Sequence, residues 1–427
     1  MVRKKKARRD QSVFRKTTLK DGLRVLTEQL PGVRSVSLGA WVDVGSRCEQ
    51  QDEHGLCHFL EHLVFKGTRQ RNARQIAESL ESLGGSLNAF TTREHTCYTA
   101  RILDEYLPQA VEILADLTCN PTLTRTNMDR ERQVICEEIK ESLDDPSDHI
   151  HDLFAETHWS GHPLGRPVLG SMKIIRSVPR AHLTRFHANN YRSGSVVVAA
   201  SGAISHDRLV KLVRAKFHLE EGGSKRPDPA GRKSGVHLRF ESDDSAQTHF
   251  CIGFPGLPYG HRDRMAVVLL STYLGGGMSS VLFQKIREER GLVYVVHSYH
   301  DSFVDTGVFS VYLGTAQKHL KQAFDLILAE CRKTVSRRLN SAVLASVKAQ
   351  MKGHLMLAME STSTRMNRIG RQELLLERYQ PLSGTIREID KITSADIQRV
   401  AETIFDESQM TVAALGPSDP KQFAGLG

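Results

Sequence analysis

Residues 54–68 read HGLCHFLEHLVFKGT, and positions 58 to 62 within them spell H-x-x-E-H. Leu56, Phe59, Leu60, Leu63 and Val64 recur with the period of a helix that buries one face, and Asp52 or Glu53 stands where such a helix should start. Positions i and i+4 of a helix share a face, so His58 and His62 can point the same way, with Glu61 nearly alongside. Two imidazoles at this spacing can grip one metal ion, and the carboxylate can reach a water on it. Zinc suits such donors, because it accepts nitrogen and oxygen ligands and a catalytic zinc keeps one position open for water. Taken alone, the five residues fit equally well a helix that happens to carry two histidines. A third ligand has to come from elsewhere.

The best source of a third ligand is residues 131–141, ERQVICEEIKE. On a helix, Glu131, Ile135, Glu138 and Ile139 fall on one stripe, whereas Glu137 shares a solvated face with Arg130, Gln133, Lys140 and Asp144. A carboxylate on an apolar stripe is costly unless it is paired or metal-bound. Glu138 is therefore the ligand candidate. Glu131, two turns earlier, could orient a ligating histidine or stand in for Glu138.

The rest of the chain reads as two α+β halves in tandem. A hairpin is expected at 16–28, a strand at 33–44, the H-x-x-E-H helix, a helix at 71–83, paired strands at 86–102 and helices at 105–119, 126–143 and 148–157. Helices at 171–178 and 180–191, a strand at 194–203 and a helix at 206–217 complete this half. Residues 220–235, EEGGSKRPDPAGRKSG, are polar and rich in Gly and Pro, and read as a linker. The order then repeats: a strand at 248–254, helices at 262–274 and 279–289, paired strands at 294–299 and 306–313, helices at 317–334, 340–359, 361–376 and 394–404, and a strand at 410–415. This predicts an α+β fold by internal duplication, with mainly antiparallel sheets covered by helices. The expected division is a basic disordered tail at 1–16, a zinc-binding catalytic domain at 17–219, the linker at 220–235 and a second domain at 236–427 without H-x-x-E-H.

Composition narrows the class. At 427 residues the chain is too long for one ordinary core. No apolar run approaches the roughly 18 residues of a membrane span. Residues 1–16 hold eight Lys or Arg against one Asp, which accounts for seven of the nine net positive charges. The remaining body is thus nearly neutral and is not built for nucleic acid; the tail alone could touch RNA or anionic lipid. It has no apolar stretch of a secretory signal, although its charge alone would suit a mitochondrial leader. Seven scattered cysteines without C-x-x-C argue for reduced thiols in a cytoplasm-like compartment.

The order H-x-x-E-H is that of the inverted zinc peptidases. With a glutamate 76 positions after His62, it resembles the pitrilysin family, which includes insulin-degrading enzyme and the mitochondrial processing peptidases. GLCHFLEHLVFKGT looks like that family's zinc helix, SLGGSLNAFTTREHTCYTARI like its substrate-edge strands and ERQVICEEIKE like its third-ligand helix. HPLGRPVLGS and LGGGMSSVLFQKIREERGLVYVV also match. The resemblance implies that His58, His62 and Glu138 bind one Zn2+ and that Glu61 is the general base. It implies that Asn88 and Ala89 lie on an edge strand where a peptide substrate adds as a further strand. It also implies that Arg287 and Tyr294, seven residues apart, anchor substrate and stabilise the tetrahedral oxyanion.

With two domains rather than four in one chain, the resemblance implies a dimer enclosing a chamber. A homodimer is the simplest form, because one chain holds both sets of residues. The expected activity is that of a zinc endopeptidase on short or unfolded peptides in a bacterial-type cytoplasm. The alternatives are a non-catalytic scaffold subunit and a presequence-processing subunit of a heterodimer in a mitochondrial matrix. Three features depart from the family pattern or stand outside the site. Val281 stands where relatives often carry Arg. His54 is a helix-start residue rather than a third histidine ligand, since i and i+8 are about 12 Å apart. Gly275–Gly277 lacks the G-K-[ST] of a phosphate loop and reads as a flexible chamber wall.

Overall fold

The computed structural model describes residues 12–223 and 229–417. The first half forms strands β1 (Val13–Thr18), β2 (Arg24–Gln29), β3 (Ser35–Val42), β4 (Ser86–Thr91), β5 (Thr96–Leu103) and β6 (Val196–Gly202). Its helices are α1 (Leu56–Val64), α2 (Ala73–Glu81), α3 (Leu107–Cys119), α4 (Arg125–Asp144), α5 (Pro146–His158), α6 (Met172–Ser177), α7 (Arg180–Asn190) and α8 (His206–Lys216). The second half forms β7 (His237–Ser242), β8 (Thr248–Gly256), β9 (Val293–Ser302), β10 (Gly307–Thr315) and β11 (Thr411–Gly416). With them go α9 (Arg264–Gly275), α10 (Leu320–Ser336), α11 (Ser341–Ala358), α12 (Thr362–Leu376), α13 (Leu382–Lys391) and α14 (Ser394–Ile404).

The strand orders are β1-β2-β6-β3-β5-β4 and β7-β11-β8-β10-β9. Removing β1 makes the two identical, including one parallel pair in each sheet, β2 with β6 and β7 with β11. The expected duplication therefore holds at the level of topology, with β4 and β9 as equivalent free edges. Three details differ from the sequence expectation. The strand β1 takes in residues 13–16 of the expected basic tail, and residues 1–11 lie outside the described ones. The sequence reading left out β7 and α13. Residues 283–288, expected as ordinary α-helix, are wound as a π-helix.

Alternation along the strands fills both faces of each sheet. In the first sheet Val25, Leu38, Ala40, Val198 and Ala200 meet α1, α3 and α8, while Leu26, Trp41, Val197 and Ala199 point the other way. The helix covering that second face belongs to the other half: Met366 and Ile369 of α12 pack on Trp41. In the second sheet Phe250, Ile252, Val412 and Ala414 meet α9, α10 and α14. Cys251, Tyr312, Ala413 and Leu415 face Ile150, Leu153 and Phe154 of α5, a helix of the first half. The two halves have thus exchanged helices at equivalent places, α5 in one direction and α12 in the other.

Contacts at α12 are close and polar as well as apolar. A Cβ at Gly370 would lie 2.5 Å from the Trp41 indole, so only glycine lets the helix approach this near. Arg365 Nη1 donates to the buried Glu28 Oε1 at 2.9 Å, and Glu373 accepts from Lys16 at 2.6 Å and from Arg24 at 3.3 Å. At the opposite seam, Arg47, whose side chain is 0% exposed, bonds Glu94 of the β4–β5 turn at 2.8 Å and Asp305 of the β9–β10 turn at 2.6 Å. No helix among the described residues is long and apolar enough to cross a membrane.

Candidate metal centre

The H-x-x-E-H run lies on α1, with Leu56, Phe59, Leu60 and Leu63 packed into the core of the first half. Neither Asp52 nor Glu53 starts this helix. Its N-cap is Gly55, at φ +101°, where a Cβ would lie 2.8 Å from Gly170 Cα. The carboxylate that serves the helix start comes from Glu49: Oε2 accepts the Gly55 N–H at 2.8 Å and Oε1 the Cys57 N–H at 2.7 Å. These are N–H groups that a helix leaves without internal partners. Burial nevertheless pushes the Glu49 carboxyl up to about 8, against the pull of those two N–H groups. Glu53 instead pairs with Gln50 in its own short turn and with His182 at 3.1 Å.

One turn apart, the His58 and His62 rings stand with centroids 4.6 Å from each other. Glu138, from α4, closes the third side: its Oε2 is 3.8 Å from His58 Nε2 and 3.5 Å from His62 Nε2. Donor atoms of the three residues all lie within 4.8 Å of one another. Ligands of a tetrahedral zinc at about 2.0–2.2 Å sit roughly 3.3–3.5 Å apart, so the set fits such an ion with small adjustments. Behind it, Glu131 Oε2 lies 3.3 Å from His62 Nδ1 and its Oε1 2.9 Å from Lys66 Nζ. This fixes which His62 nitrogen faces Glu138. Burial, and then the neighbouring His62, push His58 down to about 4, which leaves a neutral imidazole able to donate its lone pair.

Glu61 is half-buried beside this cluster and accepts a 2.5 Å hydrogen bond from Thr91 Oγ1. Burial raises its carboxyl above the ordinary range, and the Thr91 bond opposes that rise. Thr91 is the last residue of β4, so the edge strand and the carboxylate are tied together. Along β4, Asn88 is exposed and Ala89 half-buried, and the strand pairs with β5 on one side only. The opposite side is open for a further extended chain. An open cleft of about 750 Å³ lies in front, lined by His58, Glu138, Glu141, Asp145, Asp148 and His151. His54 is turned away, with Nε2 2.9 Å from the Pro167 carbonyl.

The structure brings His58, His62, Glu138, Glu61 and Glu131 together, with Asn88 and Ala89 along the strand that reaches Glu61. It does not bring Arg287 and Tyr294 to them: among the described residues neither makes a hydrogen bond or ion pair with that cluster. Arg287 is exposed, its guanidinium 4.8 Å from the Phe283 ring centroid. Tyr294 is 67% exposed and is the unpaired residue of a β-bulge, since Thr315 pairs with Val293 and Gly314 with Val295. Bulges re-aim side chains in this way beside functional sites. Val281 is half-buried in the short helical segment that leads into the π-helix. Glu49 and Thr91 are functional candidates that the sequence reading missed. Neither stands at a helical or strand spacing from the histidines, so no local pattern marks them.

Two family models match the chain, one described as insulinase (peptidase family M16) over residues 24–172 and one as peptidase M16 inactive domain over 177–351. A protein of Mycobacterium tuberculosis named an uncharacterized zinc protease is 40% identical over 414 residues, covering 96% of this chain and 94% of the relative. The uncharacterized zinc protease YmxG of Bacillus subtilis is 37% identical over 95% of this chain and 99% of its own. Among solved structures, a protease from Helicobacter pylori superposes with a TM-score of 0.89 at 24% identity, over 95% of this chain and 99% of that one. A Pseudomonas fluorescens structure described as peptidase M16 inactive domain gives 0.88 at 19% identity, over 95% and 98%.

Proposed function

The chain belongs to the M16 peptidase family, and on that footing we propose that it is a zinc-dependent endopeptidase cleaving short or unfolded peptides inside a chamber formed by two copies. The observation that carries this reading is the convergence of His58, His62 and Glu138 with Glu61 alongside. His58, His62 and Glu138 would hold the zinc, and Glu131 would keep His62 in place. Zinc, when bound, lowers the pKa of water to about 7 and polarises a carbonyl.

The rest of the chemistry falls to the chain's own side chains. Glu61 takes the proton of the attacking water and delivers it to the leaving amine. Thr91 fixes the Glu61 carboxylate at the end of the strand on which substrate lies, with Asn88 and Ala89 pairing to it main chain to main chain. Tyr294 donates to the developing oxyanion and Arg287 anchors the substrate. Since these two lie off the cluster within one chain, the second copy supplies them, and the assembly is a homodimer. The seven free cysteines favour a reducing, cytoplasm-like compartment.

The test is Glu61→Gln. The purified variant should keep its zinc by elemental analysis and lose cleavage of quenched fluorescent peptides by several orders of magnitude. Near-normal cleavage by the variant, or wild-type protein that carries zinc and cleaves nothing as an isolated homodimer, would sink the reading.

A further inference from the structure

A second cavity, of about 670 Å³, lies where the halves meet, against the face of the first sheet that carries Trp41 and α12. Its wall combines His95 from the β4–β5 turn, Tyr259 and Asp301 from the second half, and Asn367, Arg368 and Arg371 from α12. The Arg371 guanidinium is 5.0 Å from the Tyr259 ring centroid, and Arg264, from the first turn of α9, is 4.4 Å from the same ring. Arg368 donates to the Gln380 carbonyl and to Thr385 Oγ1, and Arg371 to the Ser302 carbonyl at 3.3 Å. All of these acceptors are neutral. Among the described residues none of the three guanidinium groups has a carboxylate within 4.0 Å.

The other charges of the wall are already committed. Arg93 is paired with Asp152, and Glu94 with Arg47 and the Val304 N–H. Beyond ion-pair distance, Asp301 faces Arg371 and Glu388 faces Arg264. Arg264 and Arg368 are half-buried and Arg371 is exposed, so three guanidinium groups converge here with no ion-paired carboxylate among the described residues. Their field reaches the histidines on either side: burial and then Arg371 push His95 down to about 3, and burial and then Arg264 push His300 down to about 4. One ring nitrogen of the same wall, His95 Nδ1, is shut off from water and has no hydrogen-bond partner; His95 is only 6% exposed.

We propose that this seam cavity is an anion-binding site, in which Arg368 and Arg371 take a phosphate or carboxylate group against the Tyr259 ring, with His95 behind it. Guanidinium groups present paired N–H donors that match the oxygens of such anions, and charge-assisted bonds of this kind are the strong ones. The proposal is separable from the peptidase reading, because none of the candidate metal ligands lines the cavity and its occupancy is read by binding; Thr91, which bonds Glu61, is the one lining residue the two share.

Isothermal titration of the full zinc-loaded protein, at fixed ionic strength, tests it with three probes: inorganic phosphate, citrate and a glutamate-rich hexapeptide. Saturable binding of phosphate or citrate identifies a free small anion as the occupant; binding of the peptide alone identifies acidic side chains. In either case Arg371→Gln should weaken the binding by roughly tenfold or more. Arg371 is exposed and makes one hydrogen bond, to the Ser302 carbonyl, so this variant keeps its fold where Arg368→Gln could lose it. No saturable binding of any probe overturns the proposal. So does binding that survives Arg371→Gln, the behaviour of phosphate held at the zinc instead.

Discussion

Thr91 Oγ1 donates a 2.5 Å hydrogen bond to Glu61 Oε2, and so joins the free edge of the first sheet to the carboxylate beside His58 and His62. A peptide pairing with β4 would therefore press on the strand that holds Glu61. Thr91→Val keeps the shape and removes the bond. It is expected to leave zinc content unchanged and to lower kcat by about tenfold, with a smaller change in KM, in a steady-state peptide assay. Loss of zinc in this variant would count against a role confined to Glu61.

Glu131 touches His62 on the nitrogen that faces away from Glu138. Glu131→Gln keeps an acceptor and removes the charge. Metal affinity, measured by competition with a chromophoric chelator, should fall by about 10- to 100-fold, with overall stability little changed.

Tyr294 and Glu61 can be placed on different chains. Tyr294→Phe should cost about 10²-fold in kcat with zinc intact. Mixing this variant with Glu61→Gln, after subunit exchange, should restore activity, because one of the two sites in a mixed dimer then has both residues. If the two act within one chain, no mixture regains activity.

Glu49 gives a pH signature. Its folded-state pKa of about 8 lies above the ordinary carboxylate value, so the folded state binds the proton more tightly than the unfolded one. The stability this contributes is fully present below the unfolded pKa and is lost as pH rises through about 8. Glu49→Gln does not titrate and loses one of the two bonds to the start of α1, costing about 1–2 kcal/mol. Urea melts should find the difference between wild type and variant largest near pH 5 and narrowing toward pH 8. A gap that widens with pH would reverse the sign assigned here.

The Trp41–Gly370 contact tests the seam. Gly370→Ala places a Cβ about where the indole stands, 2.5 Å away, and should destabilise the protein by about 1–3 kcal/mol in denaturant unfolding.

What the sequence could and could not reveal follows from the range of the interactions. His58, His62 and Glu61 lie within five residues, and Glu138 stands out as a carboxylate on an apolar stripe, so periodicity finds all four. Strands such as Val196–Gly202 are legible because they open on an unbroken apolar run, Val196 to Ala200. β7, HLRFES, is an outer strand of its sheet with most residues half-exposed, so it reads like the linker before it. α13 is short and carries Gly384 in its first turn. Glu49 reaches α1 by folding back across a loop, and the exchange of α5 and α12 depends on faces that meet only once both sheets exist. Neither leaves a mark in any local window of sequence.

That exchange has a consequence for what the covalent chain is needed for. With α5 seated on the sheet of the second half and α12 on the sheet of the first, each half is completed by a piece of the other, as in two clasped hands. The peptide bonds between residues 223 and 229 then contribute little to holding the halves together. A cut engineered there should yield two fragments that migrate as one species under native conditions and part only in denaturant. Expressed separately, each fragment would have to leave an apolar sheet face bare, and should be insoluble until it meets its counterpart.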